Sequence, residues 1–254
     1  MTESPIVTAD IQRPPKEILE GLAGISSATA SGELHRLGIR SPHLQGLTSW
    51  IPGCAVVGPA LTLQFMPMRE DIYGGGEYVG PERQLHRHAL YHTQPGDIVV
   101  VDARGDMTSG VFGEMMLTYF CGRGGLAAVV DGCIRDFPKA KELGLGLWLR
   151  GTTPNYHTQT NIFPFAVNVP IACGGVLVMP GDIIIADDDG AVVVPSGLAP
   201  QLLQAASANA EWEDFSRMRL AEGGDLRKYY PLSDEARAEY EAWRRTQRPR
   251  PHQQ

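Results

Sequence analysis

Apolar runs and helix-like segments alternate through the middle of this sequence. Runs rich in Val, Ile, Leu and Ala, which are typical of buried strands, occur in "CAVVGPALTLQF", "DIVVVDA", "LAAVVDG" and "LGLWLRG". Gly58 and Pro59 interrupt the first run, which predicts a bulge or an edge position for that strand. Between the runs, residues 82–94, 113–123 and 138–144 favour short helices. The alternation predicts an α/β fold in which helices pack on a sheet.

The pattern changes near residue 165, where short β-prone runs separated by Gly and Pro predict local hairpins. Helical patterns flank the strand-rich region at 16–38 and 198–224. Residues 66–81 contain three consecutive glycines and are predicted to form a loop. We therefore divide the chain into a loose N-terminal lead-in (1–15), a central domain (16–215) and a C-terminal helical extension with a basic tail (216–254).

Two segments of the chain resemble each other. "PGDIVVVDARGD" begins at residue 95 and "PGDIIIADDDGAVVV" begins at residue 180. Gly tolerates a positive φ and Asp closes turns onto the backbone, so we interpret the echo as two similar strand starts and not as two active sites. The acidic run 187–189 with Gly190 predicts a tight hairpin turn, because a calcium loop spaces its ligands over about twelve positions.

Composition narrows the function classes. The 254 residues are 43% hydrophobic and 20% charged, which allows a sizeable core, and the net charge of -7 argues against nucleic-acid binding. No apolar run approaches the ~18 residues of a membrane span, and the start lacks a signal-peptide pattern. We therefore predict a cytoplasmic protein without nucleic-acid or membrane partners. The four cysteines form no CxxC pair, which gives no sign of a zinc knuckle or a redox dithiol.

The candidate chemistry lies at two strand–helix junctions. Glu114 opens a predicted helix, and Arg135 and Asp136 directly follow the buried run "LAAVVDGCI". Helix N-termini and the carboxyl ends of neighbouring parallel strands meet at one sheet edge, where ligands bind. The amides of Met115 and Met116 could hold a carboxylate, Arg135 an enolate oxygen, and the two acidic side chains Mg²⁺ or Mn²⁺. The structural alternative is a salt-bridged Arg-Asp turn at a strand end.

Histidines supply a second candidate site. His88 and His92 are spaced i, i+4 in "HRHALYH", with His86 nearby, so they could bind zinc or contact a substrate, although no HExxH pattern accompanies them. His157 lies in the polar stretch "TPNYHTQ", for which we favour a solvated loop over a site shared between subunits. "GGGEYVG" does not follow a strand as a dinucleotide-binding GxGxxG would.

The motifs "GEMM", "DGCIRDF", "LRGTTPN" and "VPIACGGVLVMPGDIIIADDDGAVVVP" resemble the RraA-like family over about residues 24–200. That family includes class II 4-hydroxy-4-methyl-2-oxoglutarate and 4-carboxy-4-hydroxy-2-oxoadipate aldolases and the regulators of ribonuclease E activity. The resemblance implies a three-layer β/β/α fold of the swivelling-domain type, in a homotrimer or a dimer of trimers with sites at subunit boundaries. It also implies that Gly113, Glu114, Met115 and Met116 form the loop that holds the pyruvate carboxylate.

The resemblance further implies that Arg135 binds the carbonyl oxygen of the substrate, that Asp136 binds Mg²⁺ (or Mn²⁺) directly, and that Glu114 acts through a metal-bound water. Asp102 and Asp131 are implied to lie near that shell. Two features depart from the aldolases: Lys139 stands where an acidic residue usually follows, and 66–92 resembles a longer branch of the family. That insertion is expected to shape the distal half of the pocket.

Arg135, Glu114 and Asp136 together favour an enzyme. The expected activity is cleavage of a 4-hydroxy-2-oxo acid to pyruvate, with decarboxylation of oxaloacetate as a side activity and no Schiff-base lysine. One alternative is a non-catalytic RraA-type regulator that binds a ribonuclease or helicase. Another is a metal-dependent lyase or hydratase acting on a sugar-acid derivative.

Overall fold

A computed structural model describes residues 6–73, 81–156 and 161–247. The glycine-rich stretch 74–80, His157 and the end of the basic tail lie outside these residues. The chain divides into two compact units, 1–202 and 203–254. The domain boundaries given above stay a prediction.

The first unit contains a mixed sheet. Its helices and strands are α1 (Lys16–Leu22), α2 (Ser27–Arg36), β1 (Thr48–Ser49), β2 (Val56–Pro67), α3 (Glu70–Tyr73), α4 (Leu85–Tyr91), β3 (Ile98–Gly110), α5 (Glu114–Gly122), β4 (Ala127–Ile134), α6 (Phe137–Ala140), β5 (Gly146–Thr152), β6 (Ile162–Val167), β7 (Ile171–Cys173), β8 (Val176–Val178), β9 (Ile183–Asp187) and β10 (Gly190–Val194). The strand order is β1-β5-β4-β3-β2-β9-β10, with β6 also paired to β2. Strands β2 to β5 are parallel to their neighbours in this series, which confirms the predicted βα alternation.

Both faces of the sheet are buried, which creates three layers. Alternate residues of a strand point to opposite faces. Accordingly, Val99 and Val101 belong to one apolar cluster and Ile98 and Val100 to another. The first cluster includes side chains of α4 and α5, namely Leu90, Leu117 and Phe120. The second includes side chains of β7 to β10, namely Ile171, Val178, Ile184 and Val193. The layers are therefore β/β/α, in which the second β layer consists of β7, β8 and the β9–β10 end of the same sheet.

Strand β2 lies inside the sheet and not at its edge. Residues 56–59 pair with β9, and residues 60–64 pair with β3. Pro59, which has no N–H to donate, stands where the strand changes partner, and a register shift follows between Gln64 and Phe65. The predicted edge position is therefore wrong, and the register shift lies between Gln64 and Phe65 and not at Gly58 and Pro59, where the bulge was expected. The predicted loop after β2 instead begins with the short helix α3.

The two Pro-Gly-Asp segments are strand starts, as predicted. Asp97 accepts a hydrogen bond from the amide of Gln94 at 2.8 Å, and Asp182 accepts one from the amide of Met179 at 2.9 Å. The glycine between Pro and Asp has a positive φ in both segments. The predicted hairpin at Gly190 joins β9 to β10, and Gly190 has a φ of +138°. The echo is therefore architectural.

Residues 6–15 form no helix or strand, yet they are anchored to the first unit. Arg13 donates to both carboxylate oxygens of Asp97, at 2.9 and 2.7 Å, and to the carbonyl of His92 at 2.9 Å. The Asp97 side chain is 0% exposed. Hydrogen bonding to Asp97 raises the pKa of the Arg13 guanidinium. The expected loose lead-in is therefore fixed by a buried ion pair.

This ion pair predicts a large stability effect. Arg13→Met leaves the Asp97 carboxylate buried without its cation, and we expect a loss of about 3 kcal/mol in the free energy of unfolding. Urea titration measures it. The control is Lys16→Met, which breaks a pair whose side chains are 83% and 63% exposed, and should change stability by less than about 0.5 kcal/mol. Equal effects of the two variants would contradict the assignment.

The second unit is helical. It contains most of α7 (Ala199–Ala221), followed by α8 (Leu226–Tyr229) and α9 (Asp234–Gln247). Phe215, Tyr229 and Ala236 form its small core, against which Tyr240 and Trp243 pack. Lys228 pairs with Glu235 and Glu239 at 2.7 and 2.8 Å. No helix of the described residues has the length and apolar character needed to cross a bilayer.

Candidate active site

Two strand–helix junctions of the first unit line one cavity of about 230 Å³. The junction between β3 and α5 contributes Gly110, Val111, Gly113, Met115 and Met116, and the turn after β4 contributes Arg135 and Asp136. The beginning of α4 and the segment after β5 complete the lining with Gln84, His86, Arg87 and Tyr156. The structure thus brings the two predicted groups together at one sheet edge, whereas their roles in binding and catalysis stay predictions.

The turn after β4 explains why a buried strand ends on two charges. All residues of β4 are buried, and Asp136 then adopts a left-handed backbone conformation with a φ of +57° at the start of α6. Asp tolerates this conformation better than most residues. The amide of Arg135 donates to the carbonyl of Phe112 at 2.9 Å, and that of Val111 donates to Cys133 at 3.0 Å. These bonds hold the two junctions side by side.

Gly113 allows the two junctions to approach closely. It caps the N-terminus of α5 with an extended backbone. A Cβ atom at this position would lie 2.8 Å from Nε of Arg135 and 2.8 Å from Oδ2 of Asp136. Contacts shorter than about 3 Å between such atoms are repulsive, so a side chain here would displace both charged groups.

The charged groups at the cavity are only weakly paired with each other. Nε of Arg135 lies 3.4 Å from Oδ2 of Asp136, and that oxygen accepts a long hydrogen bond of 3.4 Å from the amide of Glu114. The two side chains are 39% and 46% exposed. Pairs of this kind contribute little to stability, so both groups can bind a ligand at small cost.

The N-terminus of α5 presents backbone amides that can bind an anion. Met115 and Met116 lie in the first turn of this nine-residue helix, where amides precede the i to i−4 ladder and have no intrahelical acceptor. The positive end of the helix dipole points the same way. The arrangement can therefore bind a carboxylate next to the Arg135 guanidinium.

The donors at this edge suit a hard divalent cation. Asp136 offers a half-exposed carboxylate, and the half-buried Glu114 accepts a hydrogen bond from the Thr118 hydroxyl at 3.2 Å. The described part of the chain has no cluster of three or more His, Cys, Asp or Glu side chains able to hold a metal. Mg²⁺ and Mn²⁺ fit such a site, because Mg²⁺ keeps several waters and needs only one or two protein carboxylates.

The three histidines do not form a zinc pair. His88 donates through Nε2 to the carbonyl of Glu82 at 2.6 Å, whereas Nε2 of His92 forms a hydrogen bond with the Thr8 hydroxyl at 2.7 Å. His86 is 3% exposed and lines the cavity. Of the two interpretations given from the sequence, the geometry favours a substrate contact by His86.

Asp102 and Asp131 do not belong to the cavity lining among the described residues. Asp131 forms an ion pair with Arg150 and accepts from the amide of Gly174 at 2.9 Å. Asp102 is buried and accepts from the amide of Arg104 at 3.0 Å. Burial raises the pKa of Asp102 above its ordinary value. Both carboxylates therefore have structural partners at the carboxyl-terminal side of the sheet.

The raised pKa of Asp102 predicts a pH effect on stability. The folded state binds the proton of the Asp102 carboxyl more tightly than the unfolded state does. The stability that this proton contributes is therefore fully present below pH 3.8 and is lost as the pH rises through the folded-state pKa. The stability of the native protein relative to Asp102→Asn should therefore fall as the pH increases from 3.8 through the folded-state pKa. Urea titrations of both proteins at several pH values test this. A relative stability that rises with pH would contradict the expectation.

The sequence does not reveal part of the cavity lining. Gln84, Arg87 and Tyr156 belong to no recognisable motif, although Arg87 lies inside the histidine-rich segment 86–92. Tyr156 reaches the cavity because its backbone pairs with Gly110. No local sequence pattern predicts that α4 lies against the cavity or that Tyr156 pairs with Gly110.

Comparisons with known proteins give matches to a family model, to related sequences and to solved structures. Residues 23–193 match the model of a family described as RraA-like, Aldolase/RraA. A Halalkalibacterium halodurans protein named "Putative 4-hydroxy-4-methyl-2-oxoglutarate aldolase" is 37% identical over 168 residues, which cover 63% of this chain and 77% of the relative. The crystal structure of Streptomyces coelicolor RraAS2, described as an unusual member of the RNase ES inhibitor RraA protein family, has 47% identity and a TM-score of 0.74. That match covers 82% of this chain and 99% of the other.

A second solved structure, of an uncharacterized Pseudomonas syringae pv. tomato protein, is 25% identical with a TM-score of 0.72. It covers 86% of this chain and 98% of the other. The structural matches confirm the α/β fold with flanking helices that the sequence led us to expect.

Proposed function

Because the chain belongs to the RraA-like family, we propose that it is a divalent-metal-dependent class II aldolase that cleaves a 4-hydroxy-2-oxo acid to pyruvate. One observation carries the proposal: Arg135 and Asp136 meet the open N-terminus of α5 around a single cavity. A docking surface has no need of this combination of cation, carboxylate and unsatisfied amides. The similarity to a protein named as an aldolase supports the same activity.

Different residues bind different parts of the substrate. The amides of Met115 and Met116, at the turn that begins with Gly113, bind the carboxylate of the pyruvate half. Arg135 donates to the 2-oxo oxygen through its planar guanidinium, which suits an oxygen that becomes negative during the reaction. Asp136 would hold Mg²⁺ or Mn²⁺ directly, and Glu114 would hold it through water. When bound, the cation would supply Lewis acidity at the 2-oxo group.

The C3–C4 bond can then be cleaved, because the negative charge that develops on the 2-oxo oxygen is stabilised. The 4-hydroxyl loses its proton to a water ordered by Glu114, and its O–H electron pair forms the new C4 carbonyl. The C3–C4 bond breaks, its electron pair becomes the C2–C3 double bond, and the 2-oxo oxygen takes the negative charge opposite Arg135. Protonation of C3 gives pyruvate. Oxaloacetate can lose CO₂ through the same enolate, as a side activity. Lys139 and Lys141 are exposed and have no part in this scheme.

A coupled assay tests the proposal. The protein is mixed with 4-hydroxy-4-methyl-2-oxoglutarate and MgCl₂, and pyruvate is followed with lactate dehydrogenase. We expect pyruvate release that EDTA abolishes and that excess Mg²⁺ or Mn²⁺ restores. Oxaloacetate should give slower release. The absence of pyruvate from both compounds at saturating Mg²⁺ would overturn the proposal.

The similarity to RraAS2 favours a second candidate, a non-catalytic regulator that binds a ribonuclease or a helicase. The two candidates separate in one experiment, in which the protein is added to an RNase E-type ribonuclease and RNA cleavage is followed. Inhibition without pyruvate release would establish the regulator.

The assembly and location also belong to the proposal. The family resemblance leads us to propose a homotrimer or a dimer of trimers in the cytoplasm, acting on a small 2-oxo acid. Light scattering after size exclusion should give three or six times the chain mass of 27.6 kDa. A monomeric mass would contradict this part.

A further inference from the structure

A buried histidine of α4 lies at the wall of the candidate active site. Of the three histidines in segment 86–92, all of which the structure describes, only His86 lines the cavity that Arg135 and Asp136 also line. His86 is 3% exposed and lies in the first turn of α4. The other two histidines of the segment form hydrogen bonds elsewhere, one with a backbone carbonyl and one with a threonine hydroxyl. The imidazole of His86 is therefore largely shielded from bulk water at the place where the substrate is proposed to bind.

The order of the strands puts His86 and Arg135 on different sides of the α5 N-terminus. Strand β3, which leads into α5, lies between β4 and β2 in the sheet. Arg135 follows β4, whereas α4 packs against β2, its partner β6 and α5. The two side chains thus approach the same cavity from the β4 side and from the β2 side of α5.

This placement determines which part of the pyruvate half faces α4. C2 of a pyruvate enolate is trigonal, so its carboxylate, its oxygen and C3 point in three different directions. In the proposed function the carboxylate binds the α5 amides and the oxygen faces Arg135. The remaining direction leads away from the β4 turn, towards the wall that contains His86. C3 is therefore the substrate atom that His86 can serve.

Few groups of the lining can exchange a proton at neutral pH. Among the described residues around the cavity, both arginines keep their protons, and the amide of Gln84 does not ionise. Asp136 is assigned to the cation in the proposed function. His86 and Tyr156 remain, and imidazole is the side chain that both gives and takes a proton near neutral pH.

We propose that His86 is the catalytic acid that gives C3 its proton when the enolate becomes pyruvate. The inference rests on the proposed aldolase function and supplies the proton donor of its last step. The N–H bond of the protonated imidazole breaks, and its proton bonds to C3. The electron pair of the C2–C3 double bond forms the new C–H bond, and the enolate oxygen becomes the 2-oxo carbonyl again. His86 is left neutral and takes its next proton from water.

The reverse of this step can be measured without an aldol substrate. Neutral His86 should take a proton from the methyl group of bound pyruvate, so the methyl protons should exchange with deuterium in D₂O that contains MgCl₂. Proton NMR follows the loss of the methyl signal. We expect exchange with the native protein and at least about 100-fold slower exchange with His86→Asn, because general acid–base catalysis contributes about 100- to 10,000-fold. Imidazole added to His86→Ala should restore part of the exchange, which a purely structural role of His86 does not predict.

His35→Asn is the matched control, because His35 is exposed and does not line the cavity. This variant should exchange the methyl protons at the native rate. Calorimetric titration shows whether the site is intact in His86→Asn. Oxalate should bind this variant with native affinity, because it is expected to use Arg135 and the α5 amides. A loss of oxalate affinity equal to the loss of exchange would show a structural role for His86 and overturn the inference. Circular dichroism confirms that each variant is folded.

The exchange assay and the aldolase assay can fail separately. Pyruvate release together with native exchange in His86→Asn would overturn the inference and leave the aldolase in place. Exchange that depends on His86, without pyruvate release from 4-hydroxy-4-methyl-2-oxoglutarate, would uphold the proton transfer and reject the aldolase. No exchange with the native protein would overturn the inference, whether or not pyruvate is released. A loss of exchange confined to Tyr156→Phe would assign the proton to the phenol and would also overturn it.

Discussion

Arg135→Ala is expected to lower kcat for pyruvate release by about 100- to 1,000-fold, which is the cost typical of removing a donor aimed at a developing oxyanion. Arg135 lines the cavity beside Gly113 and Met115, and its contact with Asp136 is long. The side chain is 39% exposed, so its loss should leave the fold intact. Arg135→Lys keeps the charge but not the planar fork, and should recover only part of the rate.

Lys139→Ala provides the control for this prediction. Lys139 is an exposed cation four residues from Arg135, and it does not line the cavity. Steady-state kinetics should show native kcat for this variant. If Arg135→Ala retained more than about a tenth of the native rate while folded, Arg135 could not be the residue that stabilises the enolate.

Gly113→Ala should lower activity by about 100-fold or more with little loss of stability. The backbone of Gly113 has a φ of -105°, which any residue can adopt. The added methyl group would lie 2.8 Å from both Arg135 Nε and Asp136 Oδ2 and would push these side chains apart. Displacements of about 1 Å at reacting groups cost on the order of 100-fold in rate.

Gly122→Ala is the matched control. Gly122 lies in the same helix, α5, and a Cβ atom there would have nothing within 4 Å. This variant should keep native kinetics and a thermal midpoint equal to or above that of the native protein, because Ala favours helix more than Gly does. Full activity of Gly113→Ala would show that Arg135 and Asp136 do not act from the positions described.

The α/β alternation was predictable because it depends on local patterns. Apolar runs of strand length marked β2 to β5, and the Pro-Gly-Asp turns marked the starts of β3 and β9. The placement of β9 beside β2 was not predictable, because it joins residues more than a hundred positions apart. The interior position of β2, which contains Pro59, was unpredictable for the same reason. Only the strands that pair with β2 show that the missing N–H of Pro59 falls where β2 changes neighbour.

The candidate site was predictable where it follows strand ends. Gly113 and Arg135 follow neighbouring parallel strands. Because the carboxyl ends of such strands lie at one edge of the sheet, the two residues could be expected to lie close together. The α4 wall of the cavity required the tertiary structure. The spacing of His86 in the sequence could not distinguish it from His88, which forms a hydrogen bond with a backbone carbonyl and does not line the cavity. Arg87 had no signal because an arginine in a polar helix is usually solvated.

Oxalate binding tests the central claim most directly, because this planar dianion mimics the pyruvate enolate and needs no turnover. Calorimetry would compare the native protein, Arg135→Ala and Lys139→Ala, each with MgCl₂ and with EDTA. The account predicts that oxalate binds the native protein and Lys139→Ala at least about 10-fold more tightly with Mg²⁺, and that Arg135→Ala loses at least about 10-fold in affinity. Oxalate affinity that is independent of both Mg²⁺ and Arg135 would contradict it.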